Sequence, residues 1–442
     1  MRSVSIPWSV ALHESERLLD DLSRYTKVDG IELLDFFPRQ DPVGHGPASG
    51  PAPRVLPSKR GLDLDLPLVR RDEFKAALRF MGEAKSRGFK VTCNLAPLWL
   101  GSDKLRGSSL MDVTGRRLSG PAGFPVYGCP NDPNVRRYGE FVIRQLVCNW
   151  PDMDILAFDH LEYPHMLLRA HPKFDIESTL SCFCPACDEA ALKQGFDLGR
   201  MLNSAKLFLA YLSRGVSPGK TGAPPSVNAD DVANFFVRWP RLAEWLSFRM
   251  DSMTEYCRLL LEAGRDAART CNPKLQFGLE FQLPSMSQIM GTDFLTLSFN
   301  LDILMPKFSD HLPGSAIPLF AQEVASRTGA DRDSLVRMIR DAFDLGPGPK
   351  RYTPCLPSGG LTHLLLYSNA FDSSVVARQM KYLKTLVGKV PIQPCIWESC
   401  NDNEGLRRKI EALSSAGFDG FLLGSWPEGV TSEHLRALKG IL

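Results

Sequence analysis

Eight short, continuously apolar runs recur along this chain, and seven of them are preceded by a stretch with helical spacing. The runs are Val4–Pro7, Gly30–Leu34, Phe89–Leu95, Met153–Phe158, Leu275–Phe281, Leu301–Met305, Val390–Ile396 and Phe418–Leu423. A strand with one wet face alternates apolar and polar residues. A run that is apolar throughout is what a strand covered on both faces shows. The intervening segments carry helix punctuation. Asp72 is placed to cap a helix with Phe74, Ala77, Leu78 and Met81 on one face, closed by Gly88. Asp132-Pro133 supplies a cap and a proline at the first helical position, followed by a stripe of Val135, Tyr138, Val142 and Leu146. Leu406, Ile410 and Leu413 form another stripe that ends at Gly417, and Ser432 to Leu442 reads as a closing helix. Eight buried strands alternating with helices, and no ninth strand, predict an α/β chain closed into a (β/α)8 TIM barrel. An open doubly wound sheet is the alternative.

A barrel of this kind takes ~250 residues, and the chain has 442. The expected organisation is a single catalytic barrel over 1–442, with the surplus in insertions at about 42–57, 163–240 and 308–360. These follow the second, fourth and sixth strands. They would therefore decorate the face where barrel enzymes do their chemistry. The second insertion contains a cysteine loop, a helical segment and a stretch, Ser217–Asp230, that reads as a disordered tip.

Charge excludes two classes of partner. The 52 basic and 50 acidic residues leave a net charge of +2, so neither nucleic acid nor a membrane surface is an expected partner. No apolar run approaches the ~20 residues that span a bilayer. The start, MRSVSIPWSV, lacks the basic, apolar and small-residue order of a secretory signal, and the expected location is cytoplasmic. Eleven scattered cysteines in such a setting argue against a disulfide framework and leave metal binding or plain burial.

Two glutamates stand out by position. Glu162 lies just past the fourth strand, and Glu398 just past the seventh. Polar residues at the carboxyl ends of barrel strands point into the bowl formed by the loops. Glycosidic cleavage needs two carboxyl groups flanking one bond, one to protonate the leaving oxygen and one to attack or to activate water. Each could instead be a solvated loop glutamate or pair with an arginine. Glu280 lies inside the apolar fifth strand, where an unpartnered carboxylate is too costly to be casual. It reads as a substrate-binding or supporting residue, or as half of a structural ion pair. Asp159, His160 and Lys307 could also line the bowl. Trp99, Trp397 and Trp426 follow or adjoin strand ends, where aromatic rings can pack on the apolar faces of sugars or simply close the top of the core.

The cysteine signal is sharper. Cys182, Cys184 and Cys187 form C-F-C-P-A-C after the fourth strand, and Cys129 lies in the neighbouring loop after the third. Four thiolates make a closed structural Zn2+ site with no open position for substrate. Its role would be to staple the loop that carries Glu162. The other cysteines, Cys93, Cys148, Cys257, Cys271, Cys355, Cys395 and Cys400, read as buried small hydrophobes.

The succession CPNDPNVRRY, EYP and CFCPAC resembles the family 42 β-galactosidases and the wider clan A of retaining glycoside hydrolases. CNLAPLWL is similar to that family's third strand. The resemblance spans the barrel frame but is specific only around residues 91–195. It implies zinc on Cys129, Cys182, Cys184 and Cys187, the acid/base role on Glu162, the nucleophile role on Glu398, and a tryptophan after the eighth strand at Trp426. Two departures mark a divergent relative. Leu161 stands where the clan has an asparagine that contacts the sugar 2-hydroxyl, a contact that His160 or Asp159 would have to take over. The extra C-terminal domains usual in the family do not follow the barrel.

The function expected is a retaining glycosidase with a carbohydrate substrate, and homo-oligomer formation is left open. A sugar lyase or isomerase barrel, and a catalytically inactive carbohydrate-binding barrel, are the alternatives that Leu161 favours.

Overall fold

The computed structural model describes residues 1–7, 15–34, 71–120, 125–164, 175–213, 237–309, 316–346, 353–355, 366–368, 373–398, 403–418 and 420–425. Eight parallel strands close on themselves: β1 Arg2–Pro7, β2 Gly30–Leu34, β3 Lys90–Leu95, β4 Ile155–Phe158, β5 Gln276–Phe281, β6 Ile303–Ser309, β7 Cys395–Glu398 and β8 Phe421–Ser425. Each strand pairs with its neighbours in the chain, and β1 pairs with β8, with Val4 opposite both Ile31 and Leu423. The closed (β/α)8 barrel is the expected fold, and each of the eight apolar runs supplies one strand. The boundaries move. β6 runs on through Lys307 to Ser309, so Lys307 lies within the strand. Glu398 is the last residue of β7, and not the residue beyond it.

The period-2 geometry of the strands sorts their side chains. On β3, Val91, Cys93 and Leu95 join the large apolar layer between strands and helices, while Thr92 and Asn94 are buried polar residues on the opposite face. Inside the barrel, Ile155, Ala157, Ile303, Met305, Cys395, Trp397 and Leu422 form a separate, smaller apolar cluster. That lumen is therefore apolar on the side of β4, β6, β7 and β8. Ser5, Glu32, Thr92 and Asn94 make it polar on the side of β1, β2 and β3. Successive side chains point to opposite faces of a strand, so one strand serves both layers.

The helices that matter to the site are α1 Ser15–Tyr25, α2 Arg71–Ser86, α3 Pro133–Asn149, α4 Pro185–Gln194, α5 Leu198–Ser213 and α6 Pro240–Cys271. Asp132 caps α3, accepting from the amides of Asn134 (2.8 Å) and Val135 (3.4 Å), as its sequence position predicts. Asp72 is not a cap. α2 already begins at Arg71, so Asp72 sits inside its first turn. α3 and α6 lie side by side, and they approach closely because Gly139 has no side chain: a Cβ there would meet the Tyr256 hydroxyl at 2.6 Å. α4, α5 and α6 lie between β4 and β5 and carry the chain from Glu162 back to the barrel. The segments at 42–57 and 217–230, the side chain of Phe74, and the stretch from Ser432 lie outside the described residues. No described helix is long and apolar enough to cross a membrane.

One expectation about cysteine is corrected. Cys148 and Cys271 are not isolated buried thiols; they form a disulfide with their Cα atoms 5.0 Å apart. They sit at the C-terminal ends of α3 and α6, neighbouring helices that both lead into parallel strands, so those ends fall together. The two residues are 123 positions apart, and nothing local in the sequence marks them as a pair. Cys93, Cys257 and Cys395 are buried free thiols, as expected. The Cys355 side chain and Cys400 lie outside the described residues.

Candidate active site

The segment Leu161–Glu162–Tyr163 leaves β4 with each of its peptide groups tied down. The Thr292 hydroxyl donates to the Leu161 carbonyl (2.7 Å), the Tyr127 hydroxyl to the Glu162 carbonyl (2.7 Å), and the Tyr163 amide to the Met290 carbonyl (2.8 Å). Gly291 is needed at its position. Its φ is +95°, and a Cβ there would meet the Tyr163 ring at 2.7 Å. A side chain fixed through its own backbone loses little further freedom on binding a ligand, which is what a reacting group requires.

Glu162 is 2% exposed. Its Oε1 faces His160 Nδ1 at 3.2 Å and the Gln282 amide at 3.4 Å. His160 has a left-handed backbone, φ +50°, a conformation that costs a non-glycine residue roughly 1–3 kcal/mol and clusters at functional sites. Its amide donates to Asp159 Oδ1 (2.6 Å), its Nε2 lies 3.5 Å from Asp159 Oδ2, and its ring stacks on Trp99 with centroids 3.9 Å apart. Trp99 in turn lies opposite Tyr127 in a short antiparallel ribbon, Trp99–Leu100 with Val126–Tyr127. The Leu161 side chain is buried in the large apolar cluster.

Below this lies a network of buried charge. Lys307 donates to Asp159 and stands 3.8 Å from Glu280 Oε2. Asn94 bridges Asp159 (3.3 Å) and Glu280, and Ser5 donates to Glu32. Glu32 and Glu280 also meet carboxyl to carboxyl. Burial would push Lys307 down, but Asp159, Glu280 and Glu162 together hold its ammonium above the ordinary lysine value. Burial likewise acts to raise Asp159, and the charges of His160 and Lys307 outweigh it, leaving the carboxylate below its usual range. Burial raises both Glu32 and Glu280, and the opposing pull of Lys307 on each is the smaller effect. Glu32 Oε1 and Glu280 Oε2 have no donor among the described residues. A proton shared between the two carboxyls would supply one.

The structure thus joins Trp99, Asp159, His160, Glu162, Glu280 and Lys307 into one connected group. Trp397 is set apart within the lumen cluster, over Gly424, where a Cβ would meet its ring at 2.7 Å. Glu398 ends β7 with its backbone paired to Ser425, and its side chain lies outside the described residues. Trp426 also lies outside them. Four contributors escaped the sequence reading: Glu32, Asn94, Tyr127 and Gln282. Glu32 and Asn94 carried a usable signal, a polar residue at an inward register position of an otherwise apolar strand. Tyr127 and Gln282 carried none.

Cys129, Cys182, Cys184 and Cys187 are all buried, and their sulfurs lie within 4.8 Å of one another. Cys129 Sγ is 3.5 Å from both Cys184 Sγ and Cys187 Sγ. Tetrahedral metal–sulfur bonds of ~2.3 Å imply edges of about 3.8 Å, so the four sulfurs fit one ion with little movement. The surroundings suit thiolates. The Met111 amide donates to Cys182 Sγ (3.2 Å), the Asn131 side chain donates to Cys187 Sγ (3.4 Å), and Cys184 occupies the N-cap of α4. This set can hold a metal ion.

No family model matches the sequence, and no curated protein matches it either. Among solved structures, the chain is similar to the glycoside hydrolase domain of PgaB (BpsB) from Bordetella bronchiseptica, at TM-score 0.53 and 11% identity, covering 100% of this chain and 98% of that one. It is similar to the same degree, TM-score 0.53 at 12% identity, to the catalytic domain of beta-amylase from Paenibacillus polymyxa, covering 100% and 97%. The family 42 β-galactosidase Gan42B of G. stearothermophilus overlaps at TM-score 0.42 and 12% identity, over 80% of this chain and 43% of that one. At such identities the likeness is one of fold and does not single out family 42. The chain has the (β/α)8 barrel architecture that these glycoside hydrolase domains share.

Proposed function

We propose that the chain is a glycoside hydrolase that cleaves with retention of configuration, with Glu162 as acid/base and Glu398 as nucleophile. The observation that carries this reading is Glu162 itself: a buried carboxyl at the carboxyl end of β4, its backbone held at three successive residues, its Oε1 between His160 and Gln282. Glu398 closes β7, three strands further round the same rim. In the first half of the reaction Glu162 protonates the departing glycosidic oxygen while Glu398 attacks the anomeric carbon. In the second half Glu162 takes a proton from water, which displaces Glu398 from the sugar. His160 orients the Glu162 carboxyl, Trp99 and Trp397 offer apolar faces to sugar rings, and Asp159, Glu280 and Lys307 hold the floor beneath. The ion on the four cysteines is zinc. Its fixed thiolates staple the loop after β4 to the loop after β3, and it has no open position for substrate.

A fluoroglycoside that traps glycosidic nucleophiles should label Glu398, and Glu398→Ala should abolish turnover of every substrate. Glu162→Ala should still complete the first half with activated leaving groups, then stall, and azide should restore turnover as a glycosyl azide of retained configuration. Azide rescue of the Glu162 variant with inverted product would reverse the two roles. No labelling and no turnover on any aryl glycoside would end the hydrolase reading.

A further inference from the structure

α6 lays one face against the cysteine loops, and Arg249 on that face is 3% exposed. Its guanidinium lies over two rings, Tyr163 at 4.4 Å and Trp245 at 4.3 Å. Trp245 in turn stacks on Phe183, 6.0 Å away and 10° from parallel, and Phe183 is the residue between Cys182 and Cys184. Tyr163 is the residue after Glu162. The order Phe183, Trp245, Arg249, Tyr163 is therefore a continuous stack from the cysteine loop to the strand end that carries Glu162. One turn further along α6, the Ser252 hydroxyl accepts from the Asn131 amide (2.9 Å), the same amide that reaches Cys187 Sγ.

A cation so deeply buried needs an anion, and a guanidinium ordinarily takes a carboxylate in two parallel hydrogen bonds. Among the described residues no carboxylate pairs with Arg249, and its Nε and Nη2 have no acceptor. Burial pushes the guanidinium down to about 10, against the smaller opposing effects of Tyr163, Tyr127 and Cys182. Four thiolates around a dication carry two net negative charges, buried with the ion. The missing anion of Arg249 and the missing cation of the thiolate set are thus on adjacent elements.

We propose that Arg249 is the countercharge of the metal centre and the positioning residue that joins that centre to the Glu162 strand end. The proposal rests on the reading of the four cysteines as zinc ligands and is independent of the glycosidase reading. Outer partners of metal ligands are typically worth 10–100-fold in metal affinity.

The test is zinc affinity of the full chain, by competition with a chromophoric chelator, for the wild type, Arg249→Met and Arg249→Lys. The Met variant fills the space between the rings without charge and should bind zinc 10–100-fold more weakly. The Lys variant keeps the charge and loses the flat stacking group, and should stay within a few-fold of the wild type. A packing role alone predicts the opposite order, with Met the milder change. Equal affinity for Met and wild type, or Met the tighter binder of the two variants, overturns the proposal. Should the Met variant not fold, Arg249→Gln keeps the donors without the charge and carries the same expectation. A wild-type chain that takes up no zinc after reduction overturns the metal reading and the proposal with it.

Discussion

The lumen beneath the barrel mouth and the cysteine loops beside it solve one problem in two ways. Both bury acids. In the lumen Lys307 neutralises Asp159, and Glu32 and Glu280 meet as a pair whose affinity for protons burial raises. That region is closed on its own terms and needs nothing from solution but a proton. The loop region has four thiols within 4.8 Å of one another, with the buried Arg249 guanidinium joined to it through Trp245 and Phe183. Among the described residues no cation touches all four sulfurs, and the set can hold a metal ion. The difference teaches what each region answers to. The lumen should respond to pH and to the loss of its lysine, and the loops to metal supply.

Lys307→Met should separate the two regions most sharply. Removing one partner from a buried ion pair leaves an uncompensated charge, at a cost of about 3–5 kcal/mol. The denaturation midpoint at pH 7 should fall accordingly, while zinc content stays as in the wild type. Unchanged stability would mean that the Asp159 contact is not an ion pair. Loss of zinc would mean that the regions are not independent.

The disulfide gives a second, somewhat smaller handle. It joins the ends of α3 and α6 at the foot of the barrel, away from both regions. Replacing Cys148 and Cys271 together by Ser should cost about 2–4 kcal/mol, since a cross-link chiefly restricts the unfolded chain. Zinc binding should not change. The same bond bears on location, because disulfides persist where the surroundings are oxidising, which is at odds with the cytoplasmic expectation. Stability that is indifferent to the double replacement would show that the bond does not form in solution.

The smallest expected effect is Glu32→Gln. A carboxyl whose folded pKa is raised binds its proton more tightly in the native state than in the unfolded one. Its contribution is therefore complete below the unfolded value and is lost as pH rises through the folded value. For Glu32 that loss begins near pH 4.5. Gln keeps the uncharged form at every pH. The wild-type Tm should thus fall relative to the variant as pH rises from 5 to 9, at about 1.4 kcal/mol for each pKa unit of displacement. Parallel curves would show that the pair holds no extra proton.

How much of this was legible beforehand depends on the range of the signal. The strands could be read because burial on both faces leaves its mark within five or six consecutive residues, and Asp132-Pro133 announced a helix start because a cap acts on the next two or three amides. Cys182, Cys184 and Cys187 were legible for the same reason. Cys129 needed one topological step, that loops after adjacent barrel strands can meet. Lys307 and Asp159 were each seen at the site, but not as partners, since 148 positions separate them. His160, one of the two residues named to stand in for the clan's asparagine at Leu161, has its ring against Glu162, and that contact could not be read from their spacing alone.

The amino-acid sequence by itself determined the alternation of strand and helix, the count of eight strands that fits closure better than an open sheet, and the loops on which Glu162 and the cysteine motif would sit. Those follow from periodicity and local hydrogen bonding, which a few neighbouring residues decide. Tertiary structure alone decided the partners: Glu32 with Glu280, Asn94 between Asp159 and Glu280, Cys148 with Cys271, and Arg249 with no carboxylate among the described residues. Such pairs are set by the stagger at which the barrel closes and by the helices that pack around it, and each joins segments whose spacing along the chain carries no trace of their distance in space.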